Sequence, residues 1–336
     1  MSDTLMVLSG AHPVHRAFGE AIGADFFQIK NLATKNQPAP LKAMNLVKAA
    51  LSIPTSYKYI LCESCYFYPA LKRRLGLLGK SKIININCGP ILQHILNGRV
   101  KGIEAKMLVS LLKEVNGHLV LGEFGKEVLH KFHVKAPIKV VYPFISSERF
   151  KSLKKQKPKL NSHTISIIAT TDAYNKGIDL LFDAIAEVSK IYHDVSLDVI
   201  TRMDESEIKK FNKNIPMRVF KEVEDLGVVL SQSALYIQPS RSDVFSVSVL
   251  EAMACGVPVI VSDQTGAKEI VAKLAPKMVV GCNKRELSKS IIDYFNMRSK
   301  DRVVLSKKSR KISKEFEEEK MIKLFTKEYK SLINRI

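Results

Sequence analysis

Short apolar runs recur along this chain, separated by stretches in which apolar positions return every three or four residues. Runs such as TLMVL, YILC, KIININ, GHLVL and TISII read as strands buried on both faces. The stretches between them carry helical spacing. In Ile178 to Ile191, for example, Leu181, Phe182, Ile185 and Val188 fall on one side. Strand and helix alternate throughout, which predicts an α/β protein with parallel sheets.

The first half predicts strands at Thr4–Leu8, Phe26–Ile29, Tyr59–Cys62, Lys82–Asn87, Gly117–Leu121 and Lys139–Tyr142. Helices are expected at Val14–Ile22, Leu41–Leu51, Pro69–Leu78, Lys101–Val115 and Phe124–Phe132. In Lys101–Val115 the residues Ile103, Met107, Leu108, Leu111 and Leu112 recur at helical spacing above a basic face. Residues Ser146 to Ser162 hold five lysines and a proline without strong periodicity and read as a linker. A second strand–helix series begins at Thr164 and runs through strands at Val195–Ile200, Met217–Phe220, Ala234–Gln238, Val257–Ser262 and near Met278–Val280. The tail, Ser306 to Asn334, reads as one long helix. The expected division is 1–145, a linker 146–162, 163–303, and a terminal helix 304–336. The length of 336 residues suits two domains.

Charge adds a partner constraint. The net charge is +20, and residues 1–150 hold 20 Lys and Arg against 9 Asp and Glu. A positive surface concentrated in the first domain seeks a phosphate-rich partner. Nucleic acid, anionic lipid and an anionic acceptor all qualify. No RNA- or DNA-reading motif is present, so no specific nucleic acid is expected. Five scattered cysteines, an odd number, indicate reduced thiols and a cytoplasmic site. Cys62-x-x-Cys65 has no second CxxC and no nearby histidine cluster to support a metal or redox role. The start carries no basic, apolar leader pattern, and no run approaches the ~18 apolar residues of a spanning helix.

The stretch QPSRSDVFSVSVLEAMACGVPVIVSDQTGAKEIV, residues 238–271, carries the chemistry. A strand runs into a Pro-Ser loop with a carboxylate, Asp243. A helix follows with a second, Glu251, and Gly256 ends it before the next strand. Both acids then face the C-terminal ends of parallel strands, where open α/β sheets bind ligands. Asp243, seven residues, Glu251, then AMACGVPVI resembles the Glu-x7-Glu signature of retaining family-4 glycosyltransferases (glycosyl transferases group 1). The first acid departs from that pattern, being Asp.

The resemblance implies the GT-B arrangement: two Rossmann-like domains facing across a cleft, an N-terminal acceptor domain, a C-terminal nucleotide-sugar domain, and a terminal helix crossing back to the first domain. It implies a retaining transfer from a nucleoside-diphosphate sugar to a glycan, lipid-linked or small-molecule hydroxyl. Lys176, Asp243 and Glu251 are the expected catalytic residues. Lys176 would neutralise the diphosphate, Glu251 would accept from the ribose diol, and Asp243 would meet the sugar hydroxyls with the backbone N–H groups of Phe245, Ser246 and Val247. Gly10 in the first loop would lie under the donor. The family's arginine before the lysine falls near Thr171 here, and Arg202 is a candidate substitute. For the family's histidine near the sugar, Asn87 stands at the strand end, with His12 and His94 as alternatives. No metal or other cofactor is expected, because lysine and helix dipoles can do an ion's work. The basic helices around Lys72-Arg73-Arg74 and Lys101–Lys113 suggest peripheral attachment to an anionic membrane surface. A catalytically silent nucleotide-sugar or nucleic-acid binding protein of the same fold, or a sugar-nucleotide epimerase, is the alternative.

Overall fold

The computed structural model describes residues 2–10, 12–30, 38–170 and 172–336. The chain forms two units. Unit 1 comprises Met1–Tyr142 with Met321–Ile336, and unit 2 comprises Pro143–Lys320.

Unit 1 runs β1 (Thr4–Leu8), α1 (Pro13–Ala21), β2 (Asp25–Gln28), α2 (Ala39–Ser52), β3 (Tyr59–Glu63), α3 (Phe67–Arg74), β4 (Lys82–Asn87), α4 (Ile91–Leu96), α5 (Gly102–Leu112), β5 (Gly117–Leu121), α6 (Glu123–Lys131) and β6 (Ile138–Val141). The six strands form a fully parallel sheet in the order β2-β1-β3-β4-β5-β6. The order reverses between β1 and β3, which places the switch point there. One sheet face, with Leu5, Val7, Ile60, Cys62 and Val120, packs against residues of α2, α3, α5 and α6 such as Ala50, Ala70, Leu111 and Leu129. Pro13 occupies the first turn of α1, where its missing N–H costs nothing.

In α5 the apolar stripe is wider than the sheet can cover. Leu108, Leu111 and Leu112 are buried, whereas Ile103 is 86% exposed and Met107 36%. At ~100° per residue, Ile103 and Met107 lead the other three around the helix and end on its solvent side.

Unit 2 runs α7 (Ser147–Lys155), β7 (Thr164–Ile168), α8 (Ile178–Val188), β8 (Ser196–Ile200), α9 (Glu205–Lys209), β9 (Met217–Phe220), α10 (Leu226–Ser231), β10 (Leu235–Gln238), α11 (Val247–Cys255), β11 (Val259–Ser262), α12 (Lys268–Leu274), β12 (Val279–Val280), α13 (Lys284–Phe295) and α14 (Ser299–Ser313). Its sheet is also parallel, ordered β12-β11-β10-β7-β8-β9, with the reversal between β7 and β10.

Two segments differ from the sequence reading. Much of the expected linker is helix α7, whose Phe150 and Leu153, three residues apart, are buried. The helix packs against α10 and α11. Its lysines conceal a short apolar signal, and Glu148 in the first turn with Lys154 and Lys155 in the last complement the helix dipole. The expected single terminal helix is two. A 3₁₀ turn at Lys314–Phe316 separates α14 from α15 (Glu318–Ile333). Phe316 is buried, its carbonyl accepts the Ile145 N–H at 3.2 Å, and Glu317 adopts extended backbone bridged to Ile145. Tying the backbone there ends α14, which packs on α11 and α12.

Beyond that break α15 belongs to unit 1. Phe325 stacks on Phe18 at 4.2 Å, the Tyr329 hydroxyl bonds Thr4 Oγ1 at 2.7 Å, and Leu332 lies on Gly117. Burying Phe325 completely is worth about 2–3 kcal/mol. Among the described residues no helix is long and apolar enough to cross a membrane.

Candidate functional site

In unit 2 the loops leaving β7 and β10 meet at the switch point. Lys176 comes from the first and Asp243 from the second, and Lys176 Nζ donates to Asp243 Oδ2 at 2.6 Å. Both side chains are largely covered, at 22% and 11% exposure. The two loops are clamped. Asn175 Nδ2 donates to the Ser242 carbonyl at 2.8 Å, and the Arg241 N–H donates to the Asn175 carbonyl at 2.8 Å. The Arg241 guanidinium binds Asp179 bidentately at 2.7 and 2.8 Å and covers the Tyr174 ring at 3.9 Å. Burial works against that charge, but Asp179 outweighs it and raises the Arg241 pKa.

Close approach of backbone requires glycine at two places. Gly177 has φ +71°, and a Cβ there would stand 2.2 Å from the Pro239 carbonyl oxygen. At Gly266 it would stand 1.9 Å from the Val244 oxygen. Gly266 N–H donates to the Asp243 carbonyl at 3.0 Å, so the β11 loop holds the β10 loop.

Helix α11 begins beside Asp243. Ser246 sits at its N-cap with extended backbone but makes no side-chain cap; its hydroxyl bonds Ser248 Oγ at 2.9 Å. The helix end thus keeps N–H donors for an anion. Glu251 lies on the second turn and accepts from Arg149 Nη1 of α7 at 2.8 Å. The Glu251 side chain is 10% exposed and that of Arg149 53%. Tyr236, fully buried, donates to Gln238 Oε1 at 2.6 Å and bonds Ser248 Oγ at 2.8 Å. Burial raises its pKa, and the Glu251 and Asp243 charges push the same way, so the hydroxyl stays neutral.

Unit 1 carries a second constellation, also at its switch point. Glu63 ends β3. Its Oε2 accepts from the Ser9 and Gly10 N–H groups at 3.1 and 3.0 Å, and its Oε1 is 2.5 Å from His15 Nδ1. The Gly10 amide is therefore engaged by a carboxylate of the chain itself. Burial opposes ionisation of Glu63, but His15 and the two amides hold its pKa below the usual carboxylate value. Burial likewise opposes the charge on His15, but Cys88 and Glu63 prevail and raise it to about 10. His12 stands one turn before, rings 4.9 Å apart, its pKa lowered by burial and then by the His15 charge.

The structure thus brings Lys176 and Asp243 into contact and sets Glu251 and the α11 start beside them. The backbone at Phe245, Ser246 and Val247 forms that start, with the Phe245 ring buried 6.4 Å from the Phe316 ring. Arg202 stands exposed just beyond β8, after Thr201, whose hydroxyl donates to the Ala169 carbonyl at 2.6 Å. Thr171 lies outside the described residues. His12 joins the Glu63 group, Asn87 is buried at the end of β4, and His94 lies on α4. Arg149, Arg241, His15 and Glu63 were not legible as site residues. Each acts through a partner 48 to 102 residues away in sequence, and none sits in a recognisable motif.

Solved structures define the fold. The chain aligns over 100% of its length, and 100% of the other chain, with sucrose-phosphate synthase from Thermosynechococcus elongatus, at TM-score 0.74 and 16% identity. An Anabaena protein, HepE, solved with UDP and glucose, aligns over 99% of both chains at TM-score 0.69 and 12% identity. The fold is GT-B. Residues 149–312 match the family model described as glycosyl transferases group 1. An uncharacterized glycosyltransferase of Methanocaldococcus jannaschii is 28% identical over 163 residues, 47% of this chain. That match covers 45% of the relative's length, so the chain is matched to about half of it.

Proposed function

We propose that the protein is a retaining glycosyltransferase that moves a sugar from a nucleoside-diphosphate donor to a hydroxyl acceptor. The observation that carries this reading is the Lys176–Asp243 pair at 2.6 Å, beside a helix start that its own N-cap serine does not close. In the resting state the two charges satisfy each other. A bound donor exchanges them: the diphosphate takes Lys176 and the α11 N–H groups, and a sugar hydroxyl takes Asp243. Glu251, held in place by Arg149, accepts from the ribose diol.

As the glycosidic bond breaks, charge builds on the leaving diphosphate. Lys176 and the helix terminus, worth roughly half a unit charge, stabilise it without reorganising. No side chain beside the pair combines a nucleophile with a base, so departure and attack on one face, with the leaving phosphate taking the acceptor proton, fits the residues. Transfer then needs no metal ion. The Anabaena neighbour's bound UDP makes a uridine nucleotide the first donor to try. A thermal-shift panel of UDP-, GDP- and ADP-sugars tests the reading. One donor should raise the melting temperature in the wild type and not in Lys176→Ala, and NMR of the product should show the donor's anomeric configuration. No shift with any nucleotide sugar refutes it.

A surface of unit 1 favours an acceptor held at an anionic membrane. Helices α2, α3 and α5 pack in succession, and exposed Leu41, Met44, Leu77 and Ile103 stand on or just beyond them with exposed Lys101 and Lys106. Apolar side chains among lysines suit an anionic bilayer surface. Co-sedimentation with anionic vesicles at low salt, lost at high salt, is expected; no binding at low salt removes this clause.

A further inference from the structure

The group at the switch point of unit 1 contains more chemistry than an internal ion pair needs. One nitrogen of His15, one Glu63 oxygen and Cys88 Sγ all lie within 4.8 Å of one another. They come from three backbone segments: the first turn of α1, the end of β3 and the loop after β4. His15 and Glu63 are buried and Cys88 is half-buried. We propose that His15, Glu63 and Cys88 bind a thiophilic divalent cation, zinc in the first instance.

The donor set is the argument. An imidazole, a carboxylate and a thiolate on one small centre are the ligands of zinc, whereas magnesium and calcium take oxygen. Two of the three ligands are anionic when bound, which balances the ion's charge and removes the objection that a helix N-terminus repels cations.

The ligands are also held from behind, as metal ligands are. Glu63 is fixed through its other oxygen by the Ser9 and Gly10 amides, and Ser9 Oγ donates to the Glu63 carbonyl at 3.0 Å. The thiol loop is fixed by Ser64, whose Oγ accepts from the Cys88 and Gly89 N–H groups at 2.9 and 2.6 Å and lies 3.1 Å from Cys88 Sγ. Ser64 pays for that position with a left-handed backbone, φ +56°, unusual for a residue with a Cβ. A closed His–Glu pair would require neither the strained serine nor the thiol. Zinc ligands sit about 2.0–2.3 Å from the ion, so the 2.5 Å gap between His15 Nδ1 and Glu63 Oε1 opens as the metal replaces the proton between them.

The experiment titrates the full metal-stripped chain with cobalt(II) alone and follows the near-ultraviolet sulfur-to-cobalt charge-transfer band. One equivalent should saturate the band, zinc should abolish it, and Cys88→Ser should eliminate it while Cys282→Ser leaves it unchanged. His15→Ala and Glu63→Gln should each weaken cobalt binding at least tenfold. The wild-type and Cys88→Ser melting temperatures without metal should agree, which separates loss of a ligand from loss of fold. No band at stoichiometric cobalt, or a band that survives Cys88→Ser, overturns the proposal. Neither outcome bears on the transferase reading, which rests on residues of unit 2.

Discussion

His118 stands on β5 of the unit 1 sheet, opposite Asn85 in register, and both side chains are fully buried. Among the described residues neither imidazole nitrogen and neither amide atom has a hydrogen-bond partner. Burial lowers the His118 pKa from 6.5 to about 4. The folded chain resists a proton that the unfolded chain accepts, so stability present above pH 6.5 is lost as the pH falls toward 4. With those two values the penalty is about 0.2 kcal/mol at pH 7 and about 2.5 kcal/mol at pH 4.5.

His118→Leu removes the titration and roughly preserves volume. Carboxylates titrate in the same window, so the readout is the difference between variant and wild type at each pH. That difference should move in the variant's favour by about 2.3 kcal/mol between pH 7 and 4.5, a factor of about 50 in the folding equilibrium. A chain of two units need not unfold in one step, so hydrogen exchange at β4 and β5 amides, measured by mass spectrometry, is the local assay. A difference that stays constant between the two pH values would refute the reasoning.

Three further outcomes are expected. Lys176→Ala and Asp243→Ala should each lower kcat/KM about 10²–10³-fold, and the double variant should lose less than the product, since the two side chains neutralise one another; strict additivity would show that they act apart. Arg149→Ala leaves the covered Glu251 carboxylate unpaired, so donor affinity and melting temperature should both fall, with partial recovery in Arg149→Lys; unchanged donor binding would remove Glu251 from the site. Gly266→Ala drives a Cβ onto the Val244 carbonyl and should cost about 3 kcal/mol, seen as a lowered melting temperature and weakened donor binding; a silent variant would mean the β10 and β11 loops are not locked.

The strands were legible because each is a short apolar run bounded by polar turns, and burial on both faces leaves no other reading. KIININ and GHLVL appear with the bounds the pattern predicts. Helix α7 was not, because two apolar residues among three lysines are too weak a signal, and its stability comes from the helices it packs on. The break before α15 was hidden for a related reason. Phe316, Met321, Phe325 and Tyr329 keep helical spacing across it, and only the bridge from Glu317 to Ile145 interrupts the backbone.

The same division holds for chemistry. Asp243, Glu251 and the helix between them are local in sequence, so spacing alone placed them at the end of a parallel strand. Lys176 was expected only through the family resemblance, and its contact with Asp243 spans 67 residues. The partners Arg149 for Glu251, Arg241 for the Lys176 loop, and His15 with Cys88 for Glu63 arise only when separate strand ends converge at the switch points. The sequence by itself determined the periodicities, and with them the α/β class and the acid-bearing helix, because those depend on neighbours within a few residues. The tertiary structure alone decided which charges neutralise one another, because chain direction and strand order, set by packing of the whole sheet, choose the loops that meet.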